Sequence, residues 1–288
     1  MISAALVLAV LGAPPAVELA GTAPVVHRYA LVAGASQRVR VEIDETVTQT
    51  LTPPRNPDGT PGQRSSESEV LPRTEFTVTL TVAQVGDGGA TIRATARSPR
   101  FSPREGTEPG AAAALDVAFK GIPEIAWTLR YDPDGALLEK SIEADRFPAS
   151  TLPVLQRLVE SVGWAWFALP REPLGVGGRF RSAGTATEGD FKLEVVTVGE
   201  LGGGGVLTID MRRTSVGEVP LKDPPEGIKG VLADSGTHVH GTLVHDERGF
   251  PKAVRLRADA SVTTKGQADG EPFELVSSAR RQLTITAD

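Results

Sequence analysis

Hydrophobic and polar residues alternate along most of the chain after residue 28. In residues 38–43, and again in residues 75–82, every second position is apolar and the positions between are polar or charged. Successive side chains of a strand point to opposite faces of a sheet, so this period of two predicts half-buried antiparallel strands. Turn residues recur about every ten positions, as they do in all-β proteins. The pattern therefore predicts an all-β fold, mainly antiparallel.

Two β-hairpins are predicted, one in each half of the chain. Each has a glycine-rich turn between two alternating segments, because glycine supplies the positive φ that tight hairpin turns need. The strand, turn and strand are residues 75–82, 86–89 and 90–96 in the first half, and residues 191–198, 202–205 and 206–211 in the second.

The spacing of these features predicts an internal duplication. Gly249 follows Gly135 by 114 positions, and Phe191 follows Phe76 by 115. A nearly constant offset between similar segments is typical of a repeat. Any antiparallel meander also generates such coincidences, and that alternative stays open.

One segment between the hairpins has a helical period instead. Its apolar residues recur at steps of three and four, which places them on one face of a helix. They are Leu152, Leu155, Leu158, Val159 and Val162. Ser150 or Thr151 is expected to cap the start, Pro153 suits the first turn, and Gly163 suits a left-handed position at the C-terminus.

The predicted architecture is a curved antiparallel sheet or half-barrel of about ten strands in two related halves, with one helix between them. Its divisions are a signal peptide over residues 1–23, a first β half over residues 24–149, the helix over residues 150–168, and a second β half over residues 169–288. Three polar segments rich in proline or glycine, residues 53–72, 99–114 and 219–234, are predicted as long exposed loops. Such loops are either tolerated insertions or binding loops.

The N-terminus carries the signal for location. Residues 2–11 are apolar or small, and small residues and prolines follow. This resembles the apolar core and exit of a secretory signal peptide, with Ala16, Ala20 and Ala23 as candidate cleavage positions. The run is shorter than the roughly 20 residues of a transmembrane helix. We expect a periplasmic or extracellular protein; an ordinary buried or disordered N-terminal segment is the alternative.

Composition narrows the classes of function. The net charge of −6 and the pI near 5.4 argue against a general nucleic-acid binder, which needs a concentrated basic face. The 288 residues include no cysteine, which excludes disulfides, thiolate nucleophiles and zinc–thiolate sites. It also excludes a lipid anchor on an N-terminal cysteine.

Motifs for catalysis and cofactor binding are absent from the sequence. There is no Gly-x-Ser-x-Gly elbow and no phosphate-binding glycine motif. His238 and His240 would share one face of a strand, whereas His245 would face the other way. Two histidines make an incomplete metal site, so we predict no metal, no cofactor and no catalytic residue. An enzyme with its site near His238 and His240 is the less favoured alternative.

Aromatic residues concentrate directly after the predicted helix, at Trp164, Trp166 and Phe167. They would either pack the helix on the sheet or line the mouth of a cavity. On the second interpretation, the predicted ligand-binding residues are Leu155, Leu158, Val162, Trp164, Trp166 and Phe167.

The order of elements resembles a known group of proteins. The helix is followed by Leu169 and Pro170, by a Pro-x-Gly-x-Gly stretch over residues 173–177, and by β-hairpins. This is similar to an uncharacterised family of exported bacterial β proteins, distantly similar to the LolA, LolB and LppX group. The resemblance implies a half-barrel over an apolar cavity plugged by helices, and it implies no catalytic residue.

These observations predict a non-catalytic exported envelope protein that binds a lipid or other apolar ligand in the concave face of its sheet. The alternative is a structural or protein-interaction module that contacts an envelope protein through the long loops. Neither hypothesis includes a nucleic-acid partner.

Overall fold

The computed structural model describes residues 11–12, 16–19, 22–25, 29–53, 60, 62–97, 99–122, 124–143, 146–188, 190–220, 228–268 and 270–288. The mainly antiparallel β fold predicted from the sequence is confirmed, because 62% of the chain lies in strands and 12% in helices. The strands form one large, open, curved sheet.

The first part of the chain contributes ten strands and one short helix. They are β1 (Leu11–Gly12), β2 (Ala16–Leu19), β3 (Thr22–Val25), β4 (Ser36–Thr52), β5 (Ser65–Val70), β6 (Arg73–Gly86), β7 (Gly89–Ala96), β8 (Arg100–Ser102), α1 (Ala111–Phe119), β9 (Ile125–Tyr131) and β10 (Leu137–Ile142).

The second part begins with a 3-10 turn at Ala149–Thr151 and the larger helix. Its elements are α2 (Leu152–Gly163), β11 (Leu174–Val176), β12 (Arg179–Glu188), β13 (Phe191–Leu201), β14 (Leu207–Ser215), β15 (Val219–Pro220), β16 (Ile228–His245), β17 (Pro251–Ala268) and β18 (Glu271–Ala287). Both predicted hairpins are present, as β6 with β7 and as β13 with β14. The described strands exceed the ten expected, because several short ones add to the ends of long ones.

The large sheet runs in the order β12, β13, β14, β16, β17, β18, β4, β6, β7, β9 and β10. The last strand, β18, pairs with β4 from the beginning of the chain and so joins the two halves at the centre. At the edges, Lys140 of β10 lies 3.5 Å from Glu188 of β12. The sheet therefore curves until its two edge strands approach each other.

The core lies between the concave face of this sheet and α2. Alternate residues of β4 are fully buried, among them Val39 and Val41, and they pack in one cluster with Leu155 and Leu158 of α2. The helical stripe predicted from the sequence is thus the face that leaves water. Burial of such a stripe is the main source of helix stability in a folded protein.

Helix α2 is shorter than the predicted helical segment, residues 150–168. The chain leaves the helix after Gly163 and continues without regular structure through residue 170. Pro153 lies in the first turn as predicted, but the Thr151 hydroxyl donates to the Pro148 carbonyl oxygen (2.7 Å) and does not cap the helix. Gly163 is the last helical residue and does not have a positive φ.

The three predicted loops are only partly correct. Residues 99–114 contain β8 and the start of α1, which the sequence analysis missed because its four consecutive alanines favour a helix but form no apolar stripe. Residues 219–234 include β15 and the beginning of β16, where Val231 and Ala233 are buried, while residues 221–227 lie outside the described part. Residues 53–72 include the exposed strand β5, while residues 54–59 and 61 lie outside the described part.

Much of the predicted signal peptide, residues 1–23, also lies outside the described residues. Its described parts include β1 and β2, which both pair antiparallel with β12 at the edge of the sheet. The strand that follows, β3, pairs with β11 in a separate two-stranded sheet. None of the three lies between other strands of the large sheet.

Candidate functional site

The six predicted ligand-binding residues all lie in the main hydrophobic core. Leu155, Leu158 and Val162 come from α2, and Trp164, Trp166 and Phe167 from the segment after it; each is buried. The indole Nε1 of Trp166 donates to the carbonyl oxygen of Gly249 (2.9 Å). These residues therefore hold the helix and the following segment on the sheet. Their role in binding a ligand stays a prediction.

Two similar turns enclose the segment after the helix. In each, an aspartate side chain accepts backbone N–H groups two and four residues later: Asp132 from Asp134 and Ala136, and Asp246 from Arg248 and Phe250. Each turn ends with a positive-φ glycine, Gly135 or Gly249.

Close packing around Tyr29 requires these glycines. A Cβ at Gly135 would come within 2.3 Å of the Tyr29 ring, and one at Gly249 would come within 3.0 Å of its Cα. The Tyr29 hydroxyl donates to the carbonyl oxygen of Phe167 (2.8 Å), and burial raises its pKa far above the ordinary value. The two turns, Tyr29 and the segment after the helix are therefore tightly packed together.

An open groove of about 400 Å³ lies on the concave face, beside the C-terminal half of α2. It is lined by the beginning of β13, by β15, and by the parts of β16 and β17 that lie far from the turn at residues 246–249. The lining is mostly apolar or hydroxylic. It includes Phe191, Leu193, Val219, Pro220, Ala233, Ser235, Thr237, Ala260, Ser261 and Val262.

The ionisable part of the groove is acidic. Glu160 of α2, Glu188 of β12 and Asp190 of the turn after β12 line it, and no basic side chain is among its described lining residues. The walls are thus apolar along the strands and carboxylate-bearing at one end. A pocket of this kind suits an apolar ligand with a polar head.

A network of ion pairs connects Glu160 to the interior and holds α2 on the sheet. Arg281 of β18 bridges Glu160 (2.9 Å) and Glu45 of β4 (3.1 Å), and Arg157 binds the second oxygen of Glu45 (2.9 Å). The Arg281 guanidinium also lies 5.4 Å from the centre of the Trp164 ring. Burial alone would raise the pKa of Glu160, but nearby Arg281, Lys140 and Arg213 bring it below its ordinary value. Glu160 is therefore ionised at neutral pH.

The edges of the sheet meet beside the groove. Glu188 of β12 lies between Lys140 of β10 (3.5 Å) and Arg213 of β14 (3.9 Å). Next to it, Leu137 of β10 packs against a small cluster that contains Ala186 and Leu193. Ionic and apolar contacts of side chains thus join β10 to β12 at the side of the groove.

The histidines lie as their spacing predicts. His238 and His240 share the outer face of β16, with ring centres 5.1 Å apart, and His238 Nε2 is 2.8 Å from Asp210 Oδ2. His245 lies on the inner face and donates from Nε2 to the carbonyl oxygen of Ala165 (2.7 Å). In the part of the chain that the structure describes, no three His, Asp or Glu side chains are grouped so that they could hold a metal ion.

A second depression of about 400 Å³ lies on the outer face, near the C-terminus. It is lined by arginines, but two of these are already paired: Arg40 with Glu75 (2.8 Å) and Arg38 with Asp288 (3.6 Å). Its polar walls and internal ion pairs make it a weaker candidate than the groove.

The sequence analysis missed the groove because its walls come from distant segments. One signal was present: in β16, Ala233, Ser235 and Thr237 are small or hydroxylic at the positions where the same face later carries Val239 and Leu243. That change predicts that the face is no longer filled by large side chains. The pairing of Ser235 with Val262 of β17 depends on the sheet register, which the sequence does not define.

Comparison with known proteins identifies no family for this chain. No protein-family model matches it, and no curated protein has a similar sequence. Within the described residues, no helix is both long and apolar enough to cross a membrane.

Proposed function

We propose that this is a non-catalytic exported protein of the bacterial envelope that binds an apolar ligand in the concave groove. The observation that carries the proposal is an open, mainly apolar groove of about 400 Å³ beside α2, next to the part of the concave face that the hydrophobic core fills. Small-molecule sites are typically concave and mostly apolar, with few polar groups.

A dye that fluoresces in apolar surroundings tests ligand binding. Val262 lines the groove and is 36% exposed, so Val262→Trp should fill the groove without disturbing the core. Val198→Trp is the matched control, because Val198 is 40% exposed and points from β13 to the opposite face. We expect the wild type and the control to bind neutral phenylnaphthylamine, and Val262→Trp to bind it at least about tenfold more weakly. Equal binding by all three proteins would place the dye elsewhere.

Export is the second part of the proposal. Its support is the apolar run over residues 2–11 and the small residues that follow it. Cleavage near Ala23 would remove β1 and β2, whose described pairing is with edge strand β12, and would cut β3, but it would leave the pairing of β12 with β13 in place. Expression in a bacterium with active secretion should yield a chain shortened by about 12 to 25 residues. Recovery of cytoplasmic protein with Met1 intact would contradict export.

We also propose that the two halves are related by duplication. Five consecutive antiparallel strands occur in each, β4, β6, β7, β9, β10 and β12, β13, β14, β16, β17, and each fourth strand ends in the aspartate–glycine turn described above. If the turns are equivalent, exchange of residues 132–135 with residues 246–249 should leave a folded protein. Loss of folding by the exchanged chain would argue for unrelated turns.

A further inference from the structure

The charged groups at the groove are arranged in two layers. Glu188 is 31% exposed and lines the groove, whereas its partners Lys140 and Arg213 have side chains that are only 10% exposed and do not line it. Glu160, the second carboxylate of the lining, is likewise backed by Arg281 of the ion-pair network. A ligand in the groove therefore meets carboxylates first, with the cations behind them.

The ion pairs with Lys140 and Arg213 do not occupy all the hydrogen-bond acceptor positions of the Glu188 carboxylate. The ion pairs of Glu188 are 3.5 Å and 3.9 Å long, whereas charged hydrogen bonds are normally about 2.7–2.9 Å. Each Glu188 oxygen thus keeps lone pairs for another donor. Coulomb energy falls with distance, so a charged ligand group in contact with a lining carboxylate is attracted to it more strongly than it is repelled by the cations behind it.

From this arrangement we infer that the ligand of the groove carries a positively charged amine or ammonium head, held by Glu188 with Glu160 and Asp190, on an apolar chain that lies along the strands. The inference rests on the proposed function, because it specifies the ligand of the same groove. The apolar chain would lie against Leu193, Val262 and their neighbours in the lining. An anionic head would instead approach the carboxylates directly and be repelled.

Three single-chain amphiphiles with the same tail test the charge of the head. Dodecylamine is protonated at neutral pH, dodecanoate is ionised, and dodecanol is neutral. Each would compete with phenylnaphthylamine for the wild-type protein, below the concentration at which it forms micelles. We expect dodecylamine to displace the dye roughly tenfold more effectively than dodecanol, the factor that one ordinary charged hydrogen bond supplies, and dodecanoate to be the weakest.

Glu188→Gln should weaken this preference. The substitution keeps the shape of the side chain but leaves Lys140 and Arg213 without their shared carboxylate, while Glu160 and Asp190 still line the groove. Dodecylamine should then displace the dye no better than dodecanol. Glu194→Gln is the matched control, since Glu194 is an exposed carboxylate on the opposite face of β13, and it should keep the wild-type order. Asp190→Asn, an exposed position in the lining, should reduce the amine preference if Glu188→Gln fails to fold.

The outcomes separate the two proposals. In one outcome the dye binds, but dodecylamine competes no better than dodecanol, or dodecanoate is the tightest ligand of the wild type. Either result overturns the amine head and leaves the groove as an apolar site. Absence of dye binding, together with absence of binding by all three amphiphiles, overturns the proposed function itself.

Discussion

The four longest strands, β16, β17, β18 and β4, differ between their two ends. At one end, which we call the core end, their inner residues are large and buried under α2, as with Leu243, Leu256 and Leu283. At the other, the groove end, the same face carries Ser235, Val262 and similar residues that are smaller or partly exposed. A single continuous face thus changes from a filled core to an open wall.

The difference follows from the lengths of the elements. The 12 residues of α2 span about 18 Å, whereas the 18 residues of β17 span about 60 Å. The helix can therefore cover only part of the face that the strands offer. The filled core lies where the helix covers the sheet, and the open groove lies where it does not.

The largest expected effect is at the border between the two ends, where Arg281 pairs with buried Glu45 and partly buried Glu160. Arg281→Met should lower the free energy of unfolding by about 3–5 kcal/mol, because Glu45 loses a partner while it remains buried and Glu160 loses its shortest ion pair. Chemical denaturation would measure it. Arg280→Met is the control: Arg280 is the next residue, it faces outward, and it pairs with exposed Asp259, so its loss should be under about 1 kcal/mol. Equal losses would show that the inner network adds no more stability than a surface ion pair.

At the core end, Leu158→Ala should destabilise the protein by about 2–5 kcal/mol. Leu158 is fully buried, and its truncation removes transfer free energy and leaves a cavity. Val262→Ala at the groove end should change stability by less than about 0.5 kcal/mol, since that side chain is partly exposed. A loss near 1 kcal/mol for Leu158→Ala would indicate a loosely held helix that can lift, and would weaken the contrast between the two ends.

The core end could be predicted from the sequence far better than the groove end. The hairpin of β6 and β7 and the stripe of α2 are local patterns, because their periods are visible within a few residues. The sequence even places a charge in the core: Glu45 continues the inward positions of Val41 and Ile43. Its partner Arg281 lies at the other end of the chain and is defined only by the register of β4 with β18.

Two further parts could not be predicted, for different physical reasons. Helix α1 buries only Phe119, so its sequence has helix-forming alanines without an apolar period. The groove is a space between elements, and its size depends on how far α2 extends over the sheet. Neither the pairing of distant strands nor the position of a helix on them is encoded in a local pattern.

His245 offers a smaller, pH-dependent test of the core end. Its ring donates to the Ala165 carbonyl oxygen, and burial lowers its pKa from 6.5 to about 4. The folded protein therefore takes up this proton less readily than the unfolded chain. Its contribution to stability is fully present above pH 6.5 and is lost as the pH falls toward 4, by at most about 3 kcal/mol.

Thermal unfolding of the wild type and of His245→Gln at several pH values would measure this contribution. The glutamine amide can still donate a hydrogen bond but does not titrate. We expect the variant to lose less stability than the wild type between pH 6.5 and 4. Identical pH profiles would show that His245 titrates normally in the folded protein.

A small effect is also expected on the outer face, which α2 does not cover. His238 bonds to Asp210 at 2.8 Å, but the two side chains are 37% and 47% exposed, so their interaction is screened by solvent. His240 has a buried Nδ1 with no partner among the described residues, and removal of such an atom offsets part of the lost packing. His238→Ala combined with His240→Ala should therefore change the free energy of unfolding by less than about 1 kcal/mol. A chelator should leave the Tm of both proteins unchanged, because two histidines without a third ligand hold a metal weakly. A chelator-dependent fall in the wild-type Tm that the double variant lacks would instead reveal a structural metal on the outer face, and stability would then no longer be concentrated under α2.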